Sequence, residues 1–206
     1  KSPFSSYIAG RERSLAIDGG RVAMLLPNAD TENPGFGLSY AQDFQTTGGR
    51  LSLGISAMHE AGGFVGMKPL AGNSSLNATH IAASIDWFAP LENNRRFRVS
   101  GSLGVAYPDA DIQSMQLAPV QYASLGMDYG LGGVFGAGGS LTVGLNLPQA
   151  VHRGGASVAL PVSRTRGVTE FETVDVSLAP SSRQVDLSLG YDAPLSGNSS
   201  IILSAT

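Results

Sequence analysis

Apolar and polar residues alternate with a period of two along most of this chain. In the clearest run, Phe97, Val99 and Leu103 are separated by small or polar residues such as Arg98 and Ser102. Successive side chains of a β-strand point to opposite faces, so such a run predicts a strand with one apolar face and one small, polar face. The same pattern recurs in the segments 50–60, 79–88, 96–107, 141–146, 173–178 and 184–191.

Short turn sequences separate the alternating segments. They are rich in glycine and asparagine, which tolerate the backbone conformations that tight turns require. Short turns join antiparallel neighbours, because parallel strands need a longer crossover. The sequence therefore predicts an all-β antiparallel domain of roughly ten to twelve strands over residues 1–206. Segments 61–78 and 108–118 are expected to be long loops, and the turns are 18–20, 47–49, 92–94, 137–139 and 196–198.

Two architectures fit this alternation. An up-and-down β-barrel in a membrane turns its apolar residues to lipid, whereas a soluble β-sandwich or partial barrel buries them against a second sheet. Serine, glycine, alanine and threonine dominate the polar faces instead of lysine and glutamate, which favours the barrel. Arg98, Asp86, Asp128 and Asp186 would then point inward. Aromatic residues near the strand ends would form an interfacial girdle: Tyr40, Phe44, Trp87, Phe88, Tyr107, Tyr129 and Tyr191.

Composition excludes several functional classes. The net charge is −3 without a basic block, which argues against nucleic acid as a partner. The chain has no cysteine, so disulfides and thiolate chemistry are excluded. The longest uninterrupted apolar runs are only a few residues, far short of the about 20 that a transmembrane helix needs.

No catalytic, metal-binding or cofactor-binding residue is assigned from the sequence. The three histidines, His59, His80 and His152, are widely spaced, with Glu60 as the nearby carboxylate. The serines do not occur in a nucleophile-elbow pattern. The glycine-rich run 130–136 precedes a predicted strand instead of a helix, so it is expected to be a hairpin and not a phosphate loop. The chain is therefore predicted not to be an enzyme.

Two adjacent stretches near the C-terminal end carry a family resemblance. The first, 144–162, has a strand with Leu147-Pro148, a Val-x-x-Gly turn ending at Gly154, and a strand with Leu160-Pro161. The second, 174–191, has a strand, a Leu-Ala-Pro-Ser turn and a strand ending in Tyr191. Together they resemble the C-terminal regions of Gram-negative subtilisin-like peptidases of autotransporter type. The resemblance extends more loosely upstream to about residue 34.

The resemblance implies a non-catalytic translocator or anchor β-domain in the outer membrane or at the cell surface. Its implied partners are outer-membrane lipid, the barrel-assembly machinery and an N-terminal peptidase passenger, and the family's catalytic triad belongs to that passenger. The family departs from this chain in one respect, because outer-membrane barrels usually end in an aromatic residue and this chain ends in 201–206, Ile-Ile-Leu-Ser-Ala-Thr. Either the terminal strand has been cut off, or the chain is a soluble, secreted or periplasmic accessory β-domain of such a peptidase. Because residues 1–4 lack an initial methionine and an apolar signal core, the chain is also expected to be a C-terminal piece of a longer exported protein.

Overall fold

The computed structural model describes residues 10–27, 35–65, 75–111, 115–134, 138–196 and 199–205. Within these ranges the chain forms thirteen β-strands and no helix, which confirms the all-β prediction and exceeds the roughly ten to twelve strands expected. The strands are β1 (Gly10–Ile17), β2 (Gly20–Pro27), β3 (Gly35–Thr46), β4 (Gly49–Ala61), β5 (Ser75–Leu91), β6 (Arg95–Asp111), β7 (Met115–Leu117), β8 (Val120–Gly132), β9 (Ser140–Arg153), β10 (Gly155–Thr165), β11 (Val168–Ser177), β12 (Asp186–Ser196) and β13 (Ser199–Ala205).

Ten of these strands form one antiparallel sheet in the order β1-β2-β3-β4-β5-β6-β8-β9-β12-β13. Each strand of this sheet lies beside the next sheet strand along the chain, so the connectivity is up and down throughout. The most extensive pairing joins β5 to β6, from Ser75↔Asp111 to Leu91↔Arg95. This register extends both strands into the segments 61–78 and 108–118. The expectation of two long loops there is wrong in part, because alternation alone does not mark where pairing stops.

The two ends of the ten-stranded sheet differ in their connections. At one end, here called the short-turn end, most strands are joined by brief turns such as 18–19, 47–48 and 92–94, and the connection 133–139 between β8 and β9 is longer. Positive φ angles at Gly19, Asn93 and Asn94 reverse the chain there, as the glycine and asparagine content predicts. The opposite end, here called the long-loop end, carries the longer connections, which include segments 28–34 and 62–74 and the chain between β9 and β12.

A second, three-stranded sheet stands at the long-loop end, in the order β11-β10-β7. The backbone amide of Ala118 donates to the carbonyl of Gly155 (2.9 Å), and the amide of Leu178 donates to the carbonyl of Gly154 (3.1 Å). These bonds fix the base of the β10–β11 hairpin. Every residue of β11 is exposed. The hairpin is therefore an insertion between β9 and β12 that projects away from the main sheet.

The ten-stranded sheet curls toward one face. Ala82 and Ala106 point to this face and are almost fully buried, although Leu103 on the opposite face is 65% exposed. Residues from six strands, β2 to β6 and β8, line one cavity on this face, which a flat sheet would not form. Among the described residues no backbone pairing joins β1 to β13, the two outer strands of the sheet.

Candidate functional site

The convex face of the sheet is apolar and exposed. Registered neighbours keep the same orientation from strand to strand, as in Ile55↔Ala83 and Ala83↔Leu103. Strands β3 to β6 have aromatic residues at both ends of this apolar face. Between those aromatic residues, the described part of the face carries no charged side chain. Its exposed members on the main sheet include Leu15, Ile17, Met24, Leu38, Leu53, Ile55, Ile81, Ile85, Leu103, Leu125, Val143, Leu187 and Leu189.

Aromatic side chains border the apolar face at both ends. Near the long-loop end, Phe36 contacts His59 with ring centroids 5.6 Å apart, and the same row continues through Thr79 to Tyr107. Near the short-turn end, Trp87 meets Phe97 edge to face with centroids 6.0 Å apart. The face is thus bounded by two aromatic rows. The described members of the short-turn row are Phe44, Trp87, Phe97, Tyr129 and Tyr191.

Five of the seven aromatic residues singled out from the sequence lie at the ends of the apolar face, and two do not. Tyr40 lies between the two rows and donates a hydrogen bond to Gln42. Phe88 follows Trp87 directly and therefore points to the opposite, polar face, where it lines a cavity. Its assignment to a girdle is wrong. Phe36 and Phe97 were missed, although their places in the alternation put them on the apolar face.

The concave face is polar and forms a half-open cavity of about 570 Å³ toward the short-turn end, here called the polar chamber. Side chains from β2 to β6 and from β8 line it, and small hydroxyl residues make up much of the wall. Ser102 and Ser124 hydrogen-bond to each other there at 2.7 Å. Charged residues complete the lining: Arg21, Asp43, Arg50, Asp86 and Arg98.

The four charged residues expected to point inward all lie on this polar face. Arg98 donates two hydrogen bonds to one carboxylate oxygen of Asp86, from Nε at 2.8 Å and from a terminal nitrogen at 2.5 Å. Asp128 is the registered neighbour of Arg98 on β8 and lines a second cavity of about 430 Å³ beside it. Asp186 faces Asn146 across β9 and β12 and accepts a hydrogen bond from Gln184 at 2.7 Å.

Toward the long-loop end the concave face is filled by a buried cluster. Phe64, from the chain just after β4, is fully buried there beside Met58 and Tyr122. The other members of the cluster are Leu25, Leu76, Ala78, Ala82, Ala106 and Val120. The concave face is therefore apolar and packed near the long loops, and polar and hollow near the short turns.

A fully buried histidine–carboxylate pair lies beside the cluster. His80 Nε2 is 3.0 Å from Glu60 Oε2, and the same oxygen accepts the backbone amide of Val65 at 2.9 Å. The His80 ring also contacts the ring of Tyr122, with centroids 6.0 Å apart. Glu60 thus holds the short segment that inserts Phe64. Burial of both partners denies a substrate access to them, so the pair is suited to structure and not to acid–base catalysis.

The sequence did not predict this pairing. Glu60 is adjacent to His59 in the chain, but alternation turns His59 to the apolar face and Glu60 to the polar face. His80 reaches Glu60 because Met58 and His80 are registered neighbours on β4 and β5. His152 is exposed near the end of β9. Among the described residues, the histidines and carboxylates form no cluster of three or more that could hold a metal ion.

The glycine-rich run behaves as expected where it is described. Gly130 and Gly132 end β8, and the chain turns at 133–134. Residues 135–137 lie outside the described part of the chain.

No helix within the described ranges is long and apolar enough to cross a membrane.

Comparison with known proteins finds no match to this chain among protein-family models, curated proteins or solved structures.

Proposed function

We propose that this chain is a non-catalytic β-domain of the outer membrane, serving as translocator or anchor for an exported subtilisin-like peptidase. One observation carries the membrane part of the proposal. The sheet curls toward its small, polar face and leaves its large apolar side chains exposed on the other, as Leu103 and Leu187 are at 65% and 68%. A water-soluble sheet does the reverse.

The dimensions of the apolar face support the same proposal. From Phe36 to Phe44 on β3 the chain advances about 27 Å, and from Phe97 to Tyr107 on β6 about 34 Å, at about 3.4 Å per residue. With strands tilted by about 40°, these lengths correspond to about 21–26 Å along a barrel axis. Outer-membrane barrels carry an apolar band about 25 Å tall between two aromatic girdles.

The strand connections and the charges add further support. Outer-membrane barrels have short turns at one end and longer loops at the other, the asymmetry found here. Their charged residues face the interior, as Arg98, Asp86 and Asp128 do on the concave face. The ten strands of the main sheet alternate in direction, so its outer strands β1 and β13 run in opposite directions. Closing the sheet into an antiparallel barrel requires this relation between the outer strands.

The passenger is proposed from the resemblance of 144–162 and 174–191 to the peptidase family. In this chain the first stretch covers β9 and β10, with Gly154 between them at φ +148°, and the second runs from β11 to β12. Outer-membrane lipid and the barrel-assembly machinery are the other proposed partners. Any proteolytic triad would belong to the passenger.

The first experiment compares the purified chain with and without a mild detergent by size-exclusion chromatography and light scattering. We expect a monomer in detergent micelles and aggregation in plain buffer, because the exposed apolar face has no cover in water. A sharp monomeric peak in plain buffer would show that the apolar face is not lipid-facing.

A second experiment tests the translocator role separately. A small reporter is fused before residue 1 and expressed in a Gram-negative host with a secretion signal. We expect protease added outside intact cells to digest the reporter. If the domain inserts into the membrane but the reporter stays in the periplasm, the translocator role is refuted and the anchor role still stands.

The alternative is a soluble accessory β-domain of such a peptidase, and two features favour it. No pairing joins β1 to β13 among the described residues. Arg13 lies on the apolar face of β1, opposite Met24, where lipid would disfavour its charge. In this alternative, the peptidase covers the apolar face. The chain would then become soluble when the peptidase domain is added in place of detergent.

A further inference from the structure

Three guanidinium groups from three different strands converge on the polar chamber. Arg21 comes from β2, Arg50 from β4 and Arg98 from β6. Two carboxylates, those of Asp43 and Asp86, line the same space. Three positive charges against two negative charges leave the chamber with a formal charge of +1, although the chain as a whole carries −3.

The three arginines are not equally engaged. Arg98 is held by Asp86 through two hydrogen bonds. Within the described part of the chain, neither Arg21 nor Arg50 makes a side-chain hydrogen bond or an ion pair. Arg50 also lines the neighbouring cavity, where Arg96 donates to the hydroxyl of Thr142 at 3.2 Å. Each free guanidinium presents five N–H donors and no acceptor, so it favours an oxygen-rich anion.

The remaining wall of the chamber adds hydroxyl groups. Ser52, Ser84 and Ser100 line it together with the hydrogen-bonded pair Ser102 and Ser124. Aromatic side chains, which dominate sites for apolar ligands, are missing from the lining residues. The volume of about 570 Å³ lies within the range of small-molecule sites. Both the charge and the hydroxyls therefore select a polar, negatively charged solute.

We propose that the polar chamber binds a small molecule bearing a phosphate, sulfate or carboxylate group, with Arg21 and Arg50 as its principal ligands. A planar guanidinium can donate two parallel hydrogen bonds to such an oxyanion, which gives both strength and orientation. The serine hydroxyls donate to the remaining oxygens. This inference does not depend on whether the apolar face meets lipid, because the chamber lies on the opposite face of the sheet.

The test is a titration of the full chain with inorganic phosphate and with sulfate, followed by calorimetry at constant ionic strength. The protein is kept monomeric in a neutral, lipid-free detergent, or in buffer if it is soluble there. We expect saturable binding of these anions to the wild type, with chloride failing to compete. Arg50→Gln is expected to weaken binding at least tenfold, and Arg164→Gln, which removes the same charge from the projecting hairpin, is expected to leave it unchanged.

Three outcomes would overturn the proposal. Phosphate and sulfate could fail to saturate the wild type, or Arg164→Gln could weaken binding as much as Arg50→Gln, which would reveal general electrostatic attraction. Binding that required added anionic phospholipid would assign the anion contact to a lipid headgroup outside the chamber. Arg50→Lys keeps the charge but loses the planar fork, so we expect a partial loss from it, and it replaces Arg50→Gln if that variant does not fold.

Discussion

Leu103→Arg places a charge near the middle of the apolar face. Leu103 lies six residues from Phe97 and four from Tyr107 on β6, which is about 20 Å and about 14 Å along the strand. With strands tilted by about 40°, the substituted position would lie about 10 Å from the nearer aromatic row. The Leu103 side chain is 65% exposed, so replacing it disturbs little packing within the protein.

The two proposed environments give different magnitudes. In a bilayer, arginine near the midplane of a barrel's outer face costs about 2–4 kcal/mol of folding free energy, falling to about 0–1 kcal/mol near the interface. Tyr107→Arg, on the same face of the same strand, is therefore the matched control. In water both positions are exposed surface, where substitutions change stability by about 0.5 kcal/mol or less.

The measurement is urea-induced unfolding in phospholipid vesicles, followed by the fluorescence of Trp87, the single tryptophan of the chain. We expect Leu103→Arg to lower the free energy of unfolding by about 2–4 kcal/mol, and Tyr107→Arg to lower it by about 1 kcal/mol or less. Equal costs at the two positions, or a cost below about 0.5 kcal/mol at Leu103, would refute a lipid-facing apolar surface.

Three further predictions concern single positions. Trp87 fluorescence should be quenched by brominated lipids and hardly by aqueous iodide, and the reverse order would place this face in water. Gly104→Ala should lower the free energy of unfolding by about 1–3 kcal/mol, because its new Cβ would lie within 2.5 Å of the Tyr122 ring. Gly101→Ala is the control in the same urea titration and should be nearly neutral, because no neighbour lies closer than 3.4 Å to its new Cβ. In the same urea titration, Glu60→Ala should cost about 1–3 kcal/mol because it removes the buried acceptor shared by His80 and the Val65 amide. Glu60→Gln keeps an acceptor oxygen and should cost less, and an equal loss from the two variants would contradict this account.

The strand content and the division into faces were predictable from local sequence. Residues such as Val99, Leu103 and Ser102 have an orientation fixed by the period of two, and the turns between strands have their own residue chemistry. The inward orientation of Arg98 and Asp86 follows from the same rule. These features depend only on neighbours within a few residues, so no tertiary information was needed.

The partners within each face were not predictable in the same way. Glu60 pairs with His80, and Arg21 shares a chamber with Arg50, because of register and curvature over several strands. A shift of one residue in the register of β4 against β5 would move Glu60 to the other face. The three-stranded sheet was missed for a related reason, since β7 has only three residues and pairs with β10, far along the chain.

Side-chain size, more than polarity, carries the information about which way the sheet curls. The concave side of a curved sheet has less area per residue than the convex side, so fewer large side chains fit there. On the concave face at mid-strand the chain has Gly54, Ser56, Ala82 and Gly104, whereas the convex face carries leucine and isoleucine. A Cβ on Gly104 would already meet the Tyr122 ring. Curling the other way, to bury the apolar face, would force the large side chains into the smaller area, and this steric argument favours the proposed arrangement with the apolar face outward.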